Sequence, residues 1–186
     1  MPECVNASTY LFADDTKIYK EISCEDDVSR GLLQADLAID QLQKWSDTWL
    51  LKFHLSKCKV MTVSNKTKLE NKSSYHLHLY NNEGEEVELE MSEGEKDIGV
   101  LVDRNLSFSK HITQKVNKAN SIMGLIRRIY TFLDETSFRY LFQALVRPNL
   151  EYAAAVWYPY TKKNIELIEN VQRRATQQVP SLKQLS

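Results

Sequence analysis

Apolar and polar residues alternate in two short runs near the start of the chain, on either side of an acidic pair. The runs, residues 8–12 and 16–19, are rich in β-branched and aromatic residues, and Asp14 and Asp15 lie between them. Residues of these types favour strands. The pattern therefore predicts a β-hairpin that carries two adjacent carboxylates at its turn.

The apolar spacing then changes to steps of three and four residues, from about residue 26 to 51. The residues on this stripe are Val28, Leu32, Ala35, Ile39, Leu42, Trp45 and Trp49. This period predicts one long amphipathic helix, with Ser23 and Asp26 as a capping pair. Residues 52–64 contain Val60, Thr62 and Val63 and predict a strand that returns to the sheet of the hairpin. The order strand, strand, helix, strand is half of an α+β sandwich.

A polar linker at residues 65–74 precedes a second predicted hairpin. Residues 75–80 and 87–91 each alternate apolar with polar, and the turn residues Asn, Asn, Glu and Gly lie between them. The acidic stretch of residues 83–95 is expected to be a solvated sheet edge. A further strand is predicted at residues 98–103, with Gly99 as a bulge or close contact inside it.

His76 and His78 share one face of the second hairpin, as zinc ligands could. No cysteine or carboxylate lies nearby at a spacing typical of metal ligands, so packing across the strands or exposure at the surface is the favoured interpretation.

Beyond residue 109 the pattern predicts four helices packed as a bundle. The first has an apolar stripe of Ile112, Val116, Ala119, Met123, Ile126 and Tyr130. The second is predicted to open with Asp134 as N-cap and to end at Arg147, before Pro148. The third is the aromatic and alanine-rich segment 150–158. The fourth runs from 164 to 178 and turns four residues inward: Ile165, Ile168, Val171 and Ala175.

Composition is that of an ordinary globular chain: 186 residues, 42% hydrophobic and 26% charged. There is no run of about 18 apolar residues and no secretory pattern at the start, so neither a membrane span nor a signal peptide is expected. The cysteines Cys4, Cys24 and Cys58 have no CxxC pairing, which favours reduced thiols and an intracellular location, in the nucleus or cytoplasm.

The net charge of −1 hides two halves of opposite sign. Residues 1–110 hold 13 Lys and Arg against 20 Asp and Glu, and residues 111–186 hold 11 against 5. A basic half of this kind attracts a nucleic-acid backbone. The same cations could equally do no more than solvate the outer faces of helices, and both interpretations remain open.

Several blocks follow one another at characteristic distances: Phe12-Ala13-Asp14-Asp15, and then residues 42–51, 53–61, 96–103, 106–112, 145–152, 156–157 and 168–176. In order and spacing they resemble the reverse transcriptase of non-LTR (LINE-type, jockey-like) retrotransposons. The resemblance extends over nearly the whole chain, although no single block is specific.

The resemblance implies a partial polymerase palm, with an antiparallel sheet and a helix, followed by an α-helical thumb bundle, in an α+β fold. The implied regions are a palm at 1–64, a connection like the primer-grip hairpin at 65–108 and a thumb at 109–186. In this family the fingers and a palm strand with a third catalytic aspartate precede the Ala-Asp-Asp hairpin. The chain is therefore expected to be a C-terminal fragment.

The implied activity is RNA-directed DNA polymerisation by two-metal nucleotidyl transfer, with an RNA template, a DNA primer and deoxynucleoside triphosphates as partners. Asp14 and Asp15 would be catalytic ligands of Mg²⁺ or Mn²⁺, bound weakly in a fragment. Taken alone, such a pair is also common at an exposed hairpin tip. Lys57 would protonate the pyrophosphate leaving group, but His54 stands where the family usually has Asn, and Lys57 could also be a solvated turn residue.

The nucleic-acid contacts that the resemblance implies lie in the C-terminal half. Gly99 corresponds to the primer grip, where a glycine lets the backbone approach the primer strand. Four cations would contact phosphates regardless of sequence: Lys115, Lys118, Arg127 and Arg128. Tyr130 and Trp157 are expected in the core rather than as stacking platforms.

Without the fingers and the third aspartate, the isolated chain is expected not to polymerise. A second hypothesis is a non-catalytic nucleic-acid-binding remnant that still holds a duplex through its basic helices. A third is an unselected fragment whose palm half stays partly unfolded, with an exposed apolar hairpin face.

Overall fold

Short strands and one long helix are followed by a helical C-terminal half in a computed structural model, which describes residues 7–12, 15–21, 27–64, 76–81, 83–130 and 132–179. The strands are β1 (Ser8–Phe12), β2 (Asp15–Tyr19), β3 (Lys59–Val60), β4 (His78–Tyr80), β5 (Glu86–Glu88), β6 (Glu90–Met91), β7 (Gly94–Asp97) and β8 (Val100–Asp103). The α-helices are α1 (Asp27–Trp49), α2 (Ser109–Ile129), α3 (Glu135–Leu141), α4 (Arg147–Glu151), α5 (Ala154–Trp157) and α6 (Lys162–Thr176). This mixture of helices and small sheets confirms the predicted α+β class.

The described residues divide into two units, one within Met1–Thr62 and Lys66–Ser92 and the other within Val63–Asn65 and Glu93–Ser186. The first unit opens with the predicted hairpin, in which β1 and β2 pair antiparallel. Ile18 of this hairpin packs against the buried Ala38 and Leu42 of α1. The apolar stripe of α1 therefore supports the hairpin, as the helical period requires.

The long helix ends slightly earlier than predicted. Leu50 adopts a left-handed φ of 56°, and the Leu51 N–H donates to the Ser46 carbonyl at 3.0 Å. A left-handed residue with a backbone bond back into the last turn is a common helix terminus. Trp49, expected on the apolar stripe, is 64% exposed at this end. The predicted caps Ser23 and Asp26 lie outside the described residues.

The strand predicted at 52–64 is wrong in length and in partner. A 3₁₀ turn occupies Leu55–Lys57, and only Lys59–Val60 is extended and paired. These two residues pair in parallel with β6, not with the β1–β2 hairpin. The reason is burial: Val60 and Leu55 pack on the cluster of Leu77, Leu79 and Leu89, to which β4 contributes.

The second hairpin forms, with β4 and β5 antiparallel and His78 opposite Glu88. Its second strand is shorter than the predicted 87–91, because Glu90–Met91 pairs with β3 instead. Alternation buries Leu77 and Leu79 and turns the two histidines away. His76 Nδ1 contacts the Glu88 carboxylate, and His78 Nδ1 lies 3.4 Å from Glu86 Oε1. The favoured interpretation of cross-strand packing is confirmed.

In the second unit, α2 packs against α4, α6 and β8. Five of the six residues predicted on the inner stripe of α2 are buried, from Ile112 to Ile126. The sixth, Tyr130, is 45% exposed, so its predicted place in the core is wrong. The helix ends at Ile129 and Tyr130 is extended, with φ −103° and ψ 107°, which takes it off the stripe.

Asp134 caps α3 as predicted, since its carboxylate accepts the N–H groups of Thr136 and Ser137 at 3.1 Å. A side-chain hydrogen bond with Ser137, followed by these backbone hydrogen bonds, lowers the pKa of the Asp134 carboxyl. The prediction that this helix ends before Pro148 is wrong. The π-helical segment Phe142–Val146 widens the turn before the proline, and helical backbone continues to Glu151. The wider turn relieves the clash that a proline ring makes with a preceding carbonyl.

The last two helices complete the core of the second unit. Trp157 is 2% exposed, as predicted, and its indole Nε1 donates to the Tyr152 carbonyl at 2.8 Å. Val171 and Ala175 of α6 are buried in the same core, while Ile165 and Ile168 are half-buried. Within the ranges given above, no helix combines the length and apolarity needed to span a bilayer.

Candidate functional site

The structure describes one residue of the predicted metal-binding pair, Asp15. Asp15 begins β2, opposite Phe12 in the register, and its side chain is exposed. Asp14 lies outside the described residues. Two-metal chemistry needs several carboxylates that bridge both ions, and the described residues contain no group of three His, Cys, Asp or Glu side chains that could hold a metal. The described part of the chain therefore does not supply a complete metal site.

Lys57 lies at the end of the 3₁₀ turn, and its side chain is exposed. Its backbone N–H donates to the His54 carbonyl at 2.8 Å, and His54 Nδ1 lies 2.9 Å from the Ser56 hydroxyl. His54 is thus compatible with a tight turn at the place where the resemblance expects Asn. The following thiol, Cys58, has its pKa raised by burial, which disfavours the thiolate form.

A cleft of about 350 Å³ opens beside this turn, a feature that sequence reasoning missed. Its walls include Gln43, Phe53, His54 and Tyr80. Gln43 Oε1 is buried without a hydrogen-bond partner in the described part of the chain. No sequence signal points to this cleft, because its walls come from three places in the chain: α1, the loop and 3₁₀ turn that follow it, and the end of β4.

In the second unit, Gly99 lies in the turn of the β7–β8 hairpin, not inside a strand as predicted. Asp97 pairs with Val100, so Ile98 and Gly99 form a two-residue turn, with φ 42° and 80°. Such turns need positive φ at both central residues, which glycine adopts without strain. A Cβ at Gly99 would lie 3.2 Å from the Tyr152 ring. The glycine therefore serves a turn and a close contact together.

Tyr152 joins two of the predicted nucleic-acid residues. Its hydroxyl donates to the Ile98 carbonyl at 2.9 Å, and the Lys115 ammonium lies 5.2 Å from the centre of its ring. That distance is within the range of a cation–π interaction. Gly99 and Lys115 thus meet at one tyrosine that sequence reasoning did not select.

Lys115 is half-buried and forms no ion pair with any described residue. One turn before it, His111 is 1% exposed, and its Nδ1 accepts the Leu101 N–H at 3.1 Å. Burial, and then the charge of Lys115, lower the pKa of His111. The imidazole is consequently neutral near pH 7, so Lys115 carries a positive charge beside Tyr152 and His111 does not.

The other three predicted cations are exposed but do not share one face. Lys118 lies one turn from Lys115, on the same flank of α2. Arg127 and Arg128 are in the last turn, about 13 Å beyond Lys118 along the axis at 1.5 Å per residue. At that end they also complement the helix dipole. The structure therefore brings Gly99 and Lys115 together at Tyr152, places Lys118 one turn further along α2 and leaves the two arginines apart.

The Gly99–Lys115–Tyr152 cluster can bind an anion at a surface where the backbone is accessible. Tyr152 is 47% exposed and Ile98 52%, and the ammonium of Lys115, unpaired among the described residues, lies beside them. A phosphate group fits this chemistry, because a lysine supplies a point charge beside an exposed turn.

Comparison with known proteins supports one family at low similarity. The chain is 24% identical over 169 residues, 88% of its length, to a probable RNA-directed DNA polymerase from transposon X-element of Drosophila melanogaster. It is also 32% identical over 73 residues to an uncharacterized protein of Caenorhabditis elegans, a match that covers 39% of this chain and 37% of that one. No protein-family model and no solved structure matches it.

The chain spans 17% of the length of the Drosophila polymerase and 37% of the Caenorhabditis protein. The match to the polymerase covers both units, since it includes nearly nine-tenths of the residues. Over most of its length the chain is therefore distantly similar to a transposon RNA-directed DNA polymerase.

Proposed function

We propose that the chain is the late palm and thumb of an RNA-directed DNA polymerase of a non-LTR retrotransposon, and that its second unit holds the primer–template. One observation carries the proposal: Lys115, half-buried and unpaired among the described residues, lies at Tyr152 beside the exposed turn of Gly99. The distant homology to a transposon polymerase supports the choice of nucleic acid as ligand.

Contact with phosphates is independent of base sequence in this proposal. Lys115 and Lys118 lie one turn apart on the same flank of α2 and would each neutralise a phosphate, while the turn at Gly99 approaches the sugar–phosphate backbone. Arg127 and Arg128 form a second, more distant point of contact. The excess of 11 basic over 5 acidic residues in 111–186 supports attraction over a longer range.

The catalytic part of the proposal concerns the first unit. Asp14 and Asp15 would hold Mg²⁺ or Mn²⁺, and Lys57, exposed at the end of its turn, would donate a proton to the leaving pyrophosphate. When bound, the metal ions would supply charge neutralisation at the reacting phosphate. Because the chain spans 17% of the length of the related transposon polymerase, these 186 residues alone are proposed not to extend a primer.

The binding claim is tested by the salt dependence of affinity for a labelled RNA–DNA primer–template. Lys115→Gln with Lys118→Gln should lower the slope of log K against log salt by about one per lost phosphate contact, or about two in all. Lys52→Gln is the matched control, because Lys52 is paired with Asp47 at 2.6 Å in the first unit. A slope that the double variant leaves unchanged would contradict the proposed interface.

Primer extension separates this function from the second candidate, a non-catalytic nucleic-acid-binding protein. With Mg²⁺ or Mn²⁺ and deoxynucleoside triphosphates, the purified chain is expected to extend no primer above an Asp14→Ala control. Extension above that control would show that these residues are sufficient for catalysis. Salt-sensitive binding without extension is compatible with both candidates, and recovery of extension on adding the rest of a related polymerase would favour the enzyme fragment.

A further inference from the structure

We infer that Tyr152 is a positioning residue of the proposed nucleic-acid interface: it holds the Ile98–Gly99 turn in a strained conformation and fixes Lys115 beside that turn, so that both engage one strand. This inference rests on the proposed function. Tyr152 lies at the end of the 145–152 block, but neither the resemblance nor the comparisons assign it a role.

The turn is strained at Ile98. This residue has φ 42°, a left-handed conformation in which β-branched side chains are rare outliers. Asn, Asp or Gly usually occupies the first position of such a turn. An isoleucine stays there only when its surroundings determine the conformation, and strain of this kind gathers at binding sites.

Tyr152 provides the contacts that determine it. Its hydroxyl donates to the Ile98 carbonyl across 54 residues of sequence, and its ring lies against Gly99, where a Cβ would approach to 3.2 Å. The tyrosine is itself anchored, because the indole of the buried Trp157 donates to its carbonyl at 2.8 Å. The turn is thus tied through Tyr152 to the core of the second unit.

The same ring orients the cation. Lys115 Nζ lies 5.2 Å from the ring centre, and no described carboxylate pairs with it. A lysine normally loses side-chain freedom when it binds a phosphate. The contact with the ring removes part of that freedom in advance and leaves the ammonium next to the exposed turn.

The test is a double-mutant cycle on affinity for a fluorescein-labelled RNA–DNA primer–template. Tyr152→Phe keeps the ring, and with it the contacts to Gly99 and Lys115, but removes the hydrogen bond to Ile98. We expect it to weaken binding about three- to tenfold. In a Lys115→Gln background, the same change should weaken binding by less than about twofold. The reason is that the turn held by Tyr152 and the ammonium of Lys115 are inferred to engage the same strand together.

Tyr158→Phe is the control, since the Tyr158 side chain is 76% exposed and makes no hydrogen bond within the described ranges. It should leave affinity unchanged. Equal affinity of Tyr152→Phe and the wild type would overturn the inference and leave the proposed function standing. An equal loss in both Lys115 backgrounds would also overturn it, because a general structural defect produces that pattern. A wild-type chain that binds no primer–template would refute the proposed function, and the inference with it.

A second measurement does not depend on how the variants fold. In the wild-type chain, the NMR signals of the Gly99 amide, the Tyr152 ring and the Lys115 side chain should shift together as unlabelled duplex is added. Shifts that leave these three groups unmoved while other basic residues respond would overturn the inference.

Discussion

The second unit is expected to lose stability as the pH falls from about 7.5 to about 5.5, because it buries a neutral histidine. His111 is 1% exposed, and its Nδ1 can accept the Leu101 N–H only while that nitrogen carries no proton. Burial, followed by the charge of Lys115, lowers the pKa of His111 in the folded chain. In the unfolded chain the same group has an ordinary pKa near 6.5.

The sign and size of the effect follow from proton linkage. Below the unfolded pKa, the unfolded chain binds a proton that the folded chain excludes, so acid favours unfolding. The contribution of His111 is fully present above about pH 6.5 and is lost as the pH falls toward the folded pKa. If the folded unit takes up no proton by about pH 5.5, the linkage relation limits the loss to about 1.4 kcal/mol over this interval.

Urea denaturation at the two pH values measures this loss, with Trp157 fluorescence as the probe. The Trp157 ring lies 5.3 Å from His111, and Trp45→Phe with Trp49→Phe removes the other two tryptophans. In that background His111→Gln keeps a hydrogen-bond acceptor but cannot titrate. Between the two pH values, the parent with His111 should lose up to about 1.4 kcal/mol more of its free energy of unfolding than the His111→Gln variant does.

His76→Gln is the control, because His76 is in the first unit, on an exposed hairpin. It should leave the pH dependence of the Trp157 signal unchanged. A His111→Gln variant that loses as much stability between the two pH values as its parent would refute the reasoning.

Three further outcomes are expected from the packing of the two units. Met123→Ala should destabilise the second unit by about 2–5 kcal/mol in urea denaturation, because Met123 is 3% exposed, whereas Leu125→Ala, at a 52% exposed site, should cost less than about 1 kcal/mol. Trp157→Phe should cost about 1–3 kcal/mol by the same assay, since it leaves a carbonyl without its indole donor. Gly99→Ala should lower the melting temperature more than Gly84→Ala: both have positive φ, but open space surrounds Gly84 and a tyrosine ring lies against Gly99. An equal loss of stability in Met123→Ala and Leu125→Ala, or an equal drop in melting temperature in Gly99→Ala and Gly84→Ala, would contradict these assignments.

Elements that depend on local periodicity could be predicted from the sequence. The first hairpin, α1 and α2 lie within about two residues of their predicted bounds, and the strands of the second hairpin are up to three residues shorter at their outer ends. In α1, the second hairpin and α2 the spacing of apolar residues reflects which face is buried. The apolar residues of the first hairpin are mostly exposed. The Asp134 cap was also predictable, because capping depends only on residues that are neighbours in the sequence.

Contacts between residues far apart in sequence could not be predicted in this way. Tyr152 meets Ile98 across 54 residues, and no periodic pattern marks either one as a partner of the other. Pro148 indicated a helix end, but a π-helical segment before it let the helix continue. Gly99 was expected inside a strand because strand register is not visible in a short apolar run.

In the candidate site, too, local patterns were predictable from the sequence and contacts between distant residues were not. Lys115 and Lys118 could be selected from their spacing on a helix, and Gly99 from the resemblance. That Gly99 and Lys115 converge on one tyrosine depends on how β7, β8 and α4 pack around α2. The arginines at 127 and 128 matched the same charge pattern but lie about three turns of helix away from Lys115.

The most direct test of the account is hydrogen–deuterium exchange of the chain with and without bound RNA–DNA primer–template. We predict slower exchange on binding in the Ile98–Gly99 turn and in the turn of α2 that holds Lys115 and Lys118. Protection confined to other segments, or no change in exchange at a duplex concentration that saturates the protein, would contradict the proposed interface.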